Sequence, residues 1–183
     1  MVNPIEVTDR KIGPGYPCFI IAEAGVNHNG DAEMAHQLVD AAVRCGADAV
    51  KFQTFKTEQN ITLQAPKADY QLITTGGEES QFEMVKQLEL PDEAFRLLKD
   101  HSNKQGIRFM STPFDLESVD LLDQLGVDIF KIASGEIINF PLVSRVAGKG
   151  KPIIVSTGMA NLGEVDAVVR AIKAGRIGEY VFP

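Results

Sequence analysis

The chain has 183 residues, of which 44% are hydrophobic and 23% charged, and its formal net charge at pH 7 is −7. These values are ordinary for a globular domain that can enclose a sizeable core. The acidic balance excludes a global basic surface of the kind that binds nucleic acid or an anionic membrane, so a bound anion must meet local positive charge. No stretch reaches the ~18 consecutive apolar residues that span a membrane.

The two cysteines and the N-terminal residues indicate the cellular compartment of the protein. Cys18 and Cys45 lie far apart and match no metal-ligand spacing, so we expect small core residues of a reduced protein. The opening stretch MVNPIEVTDRKIG has no apolar run and does not read as a signal peptide. We therefore expect a cytoplasmic protein.

Five short apolar runs, each closing near Gly, Thr, Pro or Ser, predict β-strands. In chain order they are FIIAEAG from Phe19, AVKFQTF from Ala49, IRFMSTP from Ile107, DIFKIASGE from Asp128 and PIIVSTG from Pro152.

Helical periodicity fills the gaps between these strands. The stretches are DAEMAHQLVDAAVRCG, PDEAFRLLKDHSNKQG, DLESVDLLDQLG, NFPLVSRVAGKG and NLGEVDAVVRAIKAG. The pattern predicts Asp31 as the first N-cap, Pro91 in the first turn of the second helix, and Gly175 as the end of the last helix. The residues expected to face inward are Ala35, Leu38, Val39, Ala42, Cys45, Phe95, Leu98, Val165, Val168, Val169 and Ile172.

Strict alternation of strands and helices predicts an α/β fold with a parallel sheet and right-handed crossovers. An open doubly wound sheet and a closed (β/α)8 barrel both have this order, and in both the ligands bind at the C-terminal ends of the strands. A complete barrel needs ~250 residues, whereas this chain supplies about five βα units.

One connection, from Lys56 to Leu90, is unusually long. A structureless loop of that length is uncommon, so we predict an active-site excursion or lid with a short helix near SQFEMVKQL. A tolerated surface insertion is the alternative.

Strand side chains alternate between two faces, and one face of every predicted strand is apolar and suits contact with a helix. The opposite face is too polar for a packed core and indicates a wet, ligand-bearing cavity. It collects Glu23, Lys51, Gln53, Thr112, Lys131 and Ser156, and Ser134 and Glu136 follow at the exit of the fourth strand.

Two lysines in buried strands, Lys51 and Lys131, favour a site for a small anion such as phosphate or carboxylate. One alternative pairs each lysine with Glu23 or Glu136 in a structural salt bridge. Another makes one lysine a Schiff-base nucleophile, as in class I aldolases.

Several ordered motifs together resemble the N-acetylneuraminate (sialic acid) synthase family, which includes the legionaminic and pseudaminic acid synthases. They are FIIAEAGVNHNG, AVKFQTF, STPFDLESVDLL, FKIASGEIINFPL and KPIIVSTGM, and the resemblance runs from about Phe19 to Ala174.

The resemblance implies a (β/α)8 TIM barrel, of which residues 1–183 would form a partial synthase domain. The implied reaction condenses phosphoenolpyruvate with an open-chain N-acetylated amino sugar, such as N-acetylmannosamine. Carbon 3 of phosphoenolpyruvate attacks the aldehyde, water adds at carbon 2, and phosphate leaves. The product is a nonulosonic acid.

The resemblance also implies roles for the residues on the polar face. Lys51, Thr112, Lys131, Ser134 and Ser156 match the phosphoenolpyruvate cradle, and Glu23, Gln53 and Glu136 match the sugar side. Glu23, Lys51, Lys131 and Glu136 are the expected catalytic residues, with Glu136 handling a proton during water addition. Turn chemistry alone accounts for Asn27, His28 and Asn29, with a ligand role as the alternative, and we expect His36 and His101 to be solvated.

The resemblance implies a divalent metal, Mn²⁺ or Mg²⁺, and we expect the histidines that bind it to lie on later strands, outside this chain. We likewise expect no counterpart here of the later strands and of an antifreeze-like C-terminal domain. We therefore expect a fragment of the barrel, with unpaired edges on its first and fifth strands, and a homodimer for a full-length protein.

Two rival functions stay open. Another phosphoenolpyruvate-condensing barrel that takes a phosphorylated aldehyde would need further Arg or Lys on the inner face, and the predicted face carries only Lys51 and Lys131. A non-catalytic anion-binding or assembly module would keep the anion site without turnover.

Overall fold

The computed structural model describes residues 4–7, 9–66 and 80–177. Its strands are β1 (Ile5–Val7), β2 (Arg10–Ile12), β3 (Ile21–Gly25), β4 (Ala49–Thr54), β5 (Arg108–Pro113), β6 (Phe130–Ile132) and β7 (Ile153–Val155). Its helices are α1 (Ala32–Arg44), α2 (Thr57–Asn60), α3 (Gln81–Lys86), α4 (Asp92–Gln105), α5 (Leu116–Gln124), α6 (Phe140–Ala147) and α7 (Leu162–Ile177). A 3₁₀ turn, Ser134–Glu136, follows β6.

The five predicted strands are confirmed as β3 to β7, and their pairings are parallel. β4 pairs with both β3 and β5, β6 pairs with β7, and β5 lies against β6. Among the described strands β3 lies beside β4 alone and β7 beside β6 alone, which agrees with their prediction as edges, whereas β5 and β6 are in contact with each other without forming a ladder.

One face of the sheet packs against the helices. Val50, Phe52, Phe109, Phe130 and Ile132 are fully buried there. They share this core with Val39 of α1, Leu98 of α4, Val119 of α5 and Val168 of α7. Burying these large apolar side chains is the main favourable term for the fold.

A β-hairpin that the strand prediction missed covers part of the other face. β1 and β2 pair antiparallel, and Val7 packs in a second buried cluster with Ala49, Met110 and Ile129. Ala49 is the first residue of β4, Ile129 directly precedes β6, and Met110 lies in the first half of β5. The prediction of a polar inner face therefore holds only toward the C-terminal ends.

Ion pairs hold the hairpin at the N-terminal ends of the strands. Arg10 Nη1 lies 2.8 Å from Asp48 Oδ1, and the Asp48 carboxylate also accepts from Ile20 N at 2.7 Å. Arg108 pairs with Asp9. Because this base is closed by apolar and charged contacts, ligand access is left to the opposite end.

Local capping explains where the helices begin and end. Asp31 accepts hydrogen bonds from Glu33 N at 2.8 Å and from Met34 N, as predicted for an N-cap. Pro91 is the N-cap of α4, one residue before its predicted position in the first turn. Gly106 ends α4 in the left-handed conformation, with φ of 74°.

Two predictions about α7 are wrong. Gly175 lies inside the helix, and Val169 is 42% exposed although Val168 on the same predicted stripe is buried. A Cβ on Gly175 would come within 2.8 Å of the Ala147 Cβ. Because Gly175 has no side chain, α7 can pack closely against α6. The surface of α7 that α6 covers is narrower than the predicted apolar stripe, which leaves Val169 partly exposed.

The prediction that the cysteines are core residues is also wrong, because Cys18 and Cys45 are both exposed. Cys18 lies before β3, outside the packed layers. Cys45 ends α1 beside the edge strand β3, at an open apolar hollow that it shares with Leu38. Within the described residues, no element covers that side of the edge strand.

The long connection contains the predicted short helix, α3. Ser80 and Glu83 form a capping box at its start, and α2 lies at the other end of the connection. Residues 67–79 of the predicted excursion lie outside the described residues. Among the described helices, none combines the length and the apolar character that crossing a bilayer requires.

Candidate functional site

Lys51 and Glu23 form an ion pair between the middles of two neighbouring strands. Parallel register places Glu23 of β3 directly opposite Lys51 of β4, and the Lys51 ammonium contacts the Glu23 carboxylate. The Lys51 side chain is 10% exposed, whereas that of Glu23 is 56% exposed. The buried ammonium is therefore held by a partner that stays in contact with solvent.

Lys131 lies near the same pair. It is half-buried on β6, and its Nζ donates to the carbonyl oxygen of Ile132 at 2.9 Å. Burial lowers the pKa of Lys131, the charge of Lys51 lowers it further, and the charge of Glu23 opposes both effects. The structure thus brings the two ammonium groups close enough to repel each other.

The salt-bridge alternative applies to only one of the lysines. Lys51 has its carboxylate in Glu23, but within the described part of the chain no carboxylate lies at ion-pairing distance from Lys131. Two ammonium groups and one carboxylate leave the cluster with an excess positive charge. A small anion is the ligand that such a cluster favours.

Hydroxyl groups accompany the lysines on the neighbouring strands. Thr112 of β5 is buried and lies opposite Gln53. Ser134 begins the turn after β6, and Ser156 follows β7 with its backbone N–H donating to Ile132 O at 3.0 Å. The structure places all three toward the C-terminal ends of their strands, as predicted.

A separate cavity of about 260 Å³ contains two of the predicted sugar-side residues. Gln53 and Glu136 line it, and neither lysine of the cluster does. Its other lining residues are Phe55, Asn60, Ile61, Val85 and Phe114. The Glu136 carboxylate accepts from Asn139 Nδ2 at 2.8 Å, which orients it.

Hydrogen bonds to two carboxylates position the excursion beside this cavity. Asp115 accepts from Lys56 N at 2.7 Å and from Asn60 Nδ2 at 3.2 Å. Glu89 accepts from the Thr57 N–H at 2.9 Å and from its hydroxyl at 2.8 Å. The Asp115 bonds place Asn60 close to the end of β5, and the Glu89 bonds join the two ends of the excursion to each other.

His28 is buried in the turn after β3, and its burial was not foreseen. Its Nδ1 accepts from Gly30 N at 3.1 Å, and within the described residues its Nε2 has no hydrogen-bond partner. Burial lowers the pKa of His28, and the charge of Asp31 only partly offsets this. The ring is therefore neutral and packs beside Phe52.

Local backbone geometry accounts for Asn29, which has a positive φ of 51°. His36 and His101, expected to be solvated, are instead partly buried and stack edge to face, with ring centroids 4.9 Å apart. The Nε2 of His101 lies 2.7 Å from Asp40 Oδ1. Because these histidines lie where α1 meets α4, they are not part of the lysine cluster.

Solved structures define the class of this protein. The chain superposes with a TM-score of 0.81 on the N-acetylneuraminic acid (sialic acid) synthetase of Leptospira borgpetersenii, whose crystal structure was determined in complex with citrate. The two chains are 34% identical, and the match covers 95% of this chain and 56% of that one. The fold is an α/β fold of the TIM-barrel type.

Residues 38–182 match the NeuB family, and the chain belongs to this family. It is 55% identical over 154 residues to the N,N'-diacetyllegionaminic acid synthase of Campylobacter jejuni, covering 84% of this chain and 46% of that protein. It is 34% identical over 164 residues to the human N-acetylneuraminate-9-phosphate synthase, covering 90% and 45%. The chain thus spans about half the length of these relatives.

The expected divalent metal does not fit the described residues. Across residues 4–7, 9–66 and 80–177, no three His, Cys, Asp or Glu side chains come together as a metal site. That the ligands lie outside this chain stays a prediction, and no step below depends on a metal.

Proposed function

We propose that the chain is part of a synthase that condenses phosphoenolpyruvate with an open-chain N-acetylated amino sugar to give a nonulosonic acid and phosphate. The main observation behind this proposal is the cluster of Lys51 and Lys131 on the inner face of the sheet, which has an excess positive charge. Membership of the NeuB family and the activities named for its relatives support this reaction.

The lysine cluster is the proposed phosphoenolpyruvate site. Lys51 and Lys131 neutralise the charge of the phosphate and carboxylate, and their partial burial strengthens this attraction relative to bulk water. Thr112, Ser134 and Ser156 supply hydroxyl donors around the anion.

Glu23, Gln53 and Glu136 are the proposed sugar-side residues. Carbon 3 of phosphoenolpyruvate forms a bond to the aldehyde carbon of the sugar. Water then adds at carbon 2, and phosphate leaves. Glu136 takes part in the proton transfer of water addition, since its carboxylate is oriented by Asn139 and faces the cavity.

A Schiff-base aldolase is a second candidate, because burial and Lys51 lower the pKa of Lys131. A lysine that loses its proton more easily is a better amine nucleophile. Reduction with borohydride in the presence of a keto acid separates the two mechanisms. A covalent adduct on Lys131 would identify the aldolase, and the synthase leaves the lysine unmodified.

The test of the proposed function is titration of the chain with phosphoenolpyruvate, with and without Mn²⁺. We expect Lys51→Met and Lys131→Met each to weaken binding by about 2 kcal/mol, roughly 30-fold in Kd, because each removes a partly desolvated charge. Lys104→Met, at the exposed end of α4, is the matched control and should bind as the wild type does. Unchanged affinity in both cluster variants would contradict the proposal.

Turnover with N-acetylmannosamine, followed as phosphate release, separates an active synthase from a module that only binds the anion. Metal-independent binding without turnover would favour the binding module.

A further inference from the structure

We infer that the Glu23 carboxylate is an internal competitor for the anion site. It holds Lys51 in the free protein, leaves it when a small polyanion binds, and returns to it as the phosphate product departs. The inference rests on the proposed function, because it takes the lysine cluster to hold the anion. It goes beyond that function by assigning to Glu23 the control of how tightly the anion is bound.

The ion pair between Glu23 and Lys51 joins partners of unequal exposure. Lys51 is buried on β4, and Glu23 lies opposite it on the edge strand β3 with its side chain largely exposed. Because the carboxylate is already in contact with solvent, it can leave Lys51 and complete its hydration. The buried ammonium would then be left without compensation, which is costly. An anion that takes the place of Glu23 removes that cost.

The charge of Glu23 also acts on the second lysine of the cluster. Burial and the charge of Lys51 lower the pKa of Lys131, and the charge of Glu23 opposes both effects. The Glu23 carboxylate thus partly compensates both ammonium groups, as a bound anion would. An anion with several negative charges compensates them more completely and also repels Glu23. Both effects favour the exchange of Glu23 for a polyanion.

The backbone beside Glu23 leaves room for its carboxylate to move. Glu23 Oε2 contacts Lys51, whereas a Cβ on Gly25 would lie 3.4 Å from Glu23 Oε1 and 3.9 Å from Gln53 Nε2. Gly25 has a positive φ of 56°, which disfavours a side chain there. The space over Gly25 therefore lies between the Glu23 carboxylate and the Gln53 carboxamide. A carboxylate released from Lys51 can enter this space and accept a hydrogen bond from Gln53.

This competition bears on both ends of the proposed reaction. Glu23 weakens the binding of every anion that requires Lys51, including the phosphate that leaves. Without it, two partly buried ammonium groups would retain a phosphate dianion strongly. The return of Glu23 to Lys51 restores the ion pair as phosphate departs, so it favours release of the product.

Titration of phosphoenolpyruvate and of inorganic phosphate into the chain tests the inference. Glu23→Gln removes the competing charge and should tighten the binding of both anions by about 10-fold, because the coupling of close charge pairs is of this size or larger. Glu93→Gln is the matched control, since it removes an exposed carboxylate that pairs with Arg96 on α4. It should bind both anions as the wild type does.

A second variant separates the contact with Lys51 from the general effect of a nearby negative charge. Glu23→Asp keeps the charge but withdraws the carboxylate from Lys51 by about 1.5 Å, one C–C bond. If the contact is what the anion must displace, this variant should bind both anions about 3-fold more tightly than the wild type does. Wild-type affinity in Glu23→Asp would overturn the exchange.

A spectroscopic measurement on the wild type does not depend on any variant being folded. The ¹³C resonance of the Glu23 carboxyl carbon, assigned by its absence in Glu23→Gln, should shift as phosphate saturates the site, because the carboxylate loses its ammonium contact. A resonance that stays unchanged at saturation would overturn the inference.

Failure of the inference can be told apart from failure of the proposed function. Phosphoenolpyruvate binding to the wild type with equal or weaker binding to Glu23→Gln overturns the inference alone. Phosphate binding that tightens in Glu23→Gln, without any binding of phosphoenolpyruvate, overturns the proposed substrate and supports the exchange at Lys51. A wild type that binds neither anion overturns both.

Discussion

The charged form of Lys131 is unfavourable in the free protein. Burial and the neighbouring Lys51 both disfavour its charged form, and the lowered pKa records that cost. The Ile132 carbonyl satisfies one of its three donors. An anionic ligand bound by both lysines would offset the repulsion between their ammonium groups. Relief of this unfavourable free energy would then contribute to the affinity for the ligand.

His28 carries a comparable cost, because its Nε2 has no hydrogen-bond partner among the residues that the structure describes. Because its Nδ1 accepts from Gly30, the proton of the neutral ring lies on Nε2. A buried donor without an acceptor costs about 1–3 kcal/mol. From the sequence we attributed the turn around His28 to local backbone preferences. This interpretation accounts for Asn29 but not for the burial of His28.

His28 should make the stability of the fold depend on pH. Its folded-state pKa lies below the ordinary 6.5, so the unfolded chain binds the proton more readily. Stability is then greatest above pH 6.5 and declines as pH falls toward the folded pKa, by at most about 1.4 kcal/mol per pH unit. Urea unfolding at pH 7.5 and pH 5.5 measures this decline.

His28→Phe should remove that part of the pH dependence, since the ring beside Phe52 can be replaced by an apolar one. His36→Asn removes a histidine from the α1–α4 contact and should keep the wild-type dependence. Identical pH profiles for His28→Phe and the wild type would contradict this assignment.

The excursion approaches the turn after β3 closely at Gly30. Gly30 has φ of 78°, and a Cβ at this position would overlap the Gln87 carbonyl oxygen. The backbone just after α3 thus packs directly on the turn that contains His28. This contact, with the Asp115 and Glu89 hydrogen bonds, holds the excursion beside the cavity.

Gly30→Ala should therefore destabilise the fold more than its backbone conformation alone requires. Gly46 has a similar φ of 73° with no atom near the added Cβ, so Gly46→Ala is the matched control. We expect about 1 kcal/mol of destabilisation for the control and about 3 kcal/mol for Gly30→Ala, from strain plus overlap. Denaturant unfolding checks this, and equal losses would show that the excursion does not rest on Gly30.

Across the whole molecule, the inner face has two ends with opposite character. The N-terminal ends of the strands are packed with Ala49, Met110 and Ile129 under the β1–β2 hairpin, and the C-terminal ends carry the charged and hydroxyl groups. The same strands therefore carry the residues that stabilise the fold at one end and the residues proposed to bind the ligand at the other. This division also explains why apolar residues are followed by polar ones along a single inward-facing stripe.

Charged contacts between successive βα units contribute to global stability. Asp120 of α5 lies between Arg145 of α6 and Lys149, and hydrogen bonds from these two groups lower the pKa of Asp120 to about 2. Asp123 is desolvated, but hydrogen bonds from Lys151 and Lys149 outweigh that effect and lower its pKa as well. The cluster links α5 to the segment that leads into β7.

Acid should remove this contribution. The folded pKa of Asp120 lies below the ordinary 3.8, so its stabilisation is complete above about pH 4 and is lost as pH falls toward about 2. Asp120→Asn should lose about 1 kcal/mol at pH 7 and differ little from the wild type near pH 2. Asp100→Asn, at an exposed position of α4, is the control. A deficit of Asp120→Asn that persists at pH 2 would contradict the ion-pair explanation.

Local patterns were sufficient to predict the five parallel strands, the helices between them and the short helix α3. They also place Lys51, Thr112 and Lys131 on one face of the sheet. These predictions succeed because strand alternation, helix periodicity and capping involve residues close in sequence, and parallel strands bring their C-terminal ends to one edge.

Contacts between distant segments determined the remaining features. The apolar wall of the cavity joins Ile61 and Val85 of the excursion to Phe55 and Phe114 after the strands, and no local pattern connects them. The exposure of Cys45, the place of Gly175 inside α7 and the burial of His28 depend likewise on which element packs where. Burial and charge pairing are properties of neighbours in space, so these features followed only from the folded arrangement.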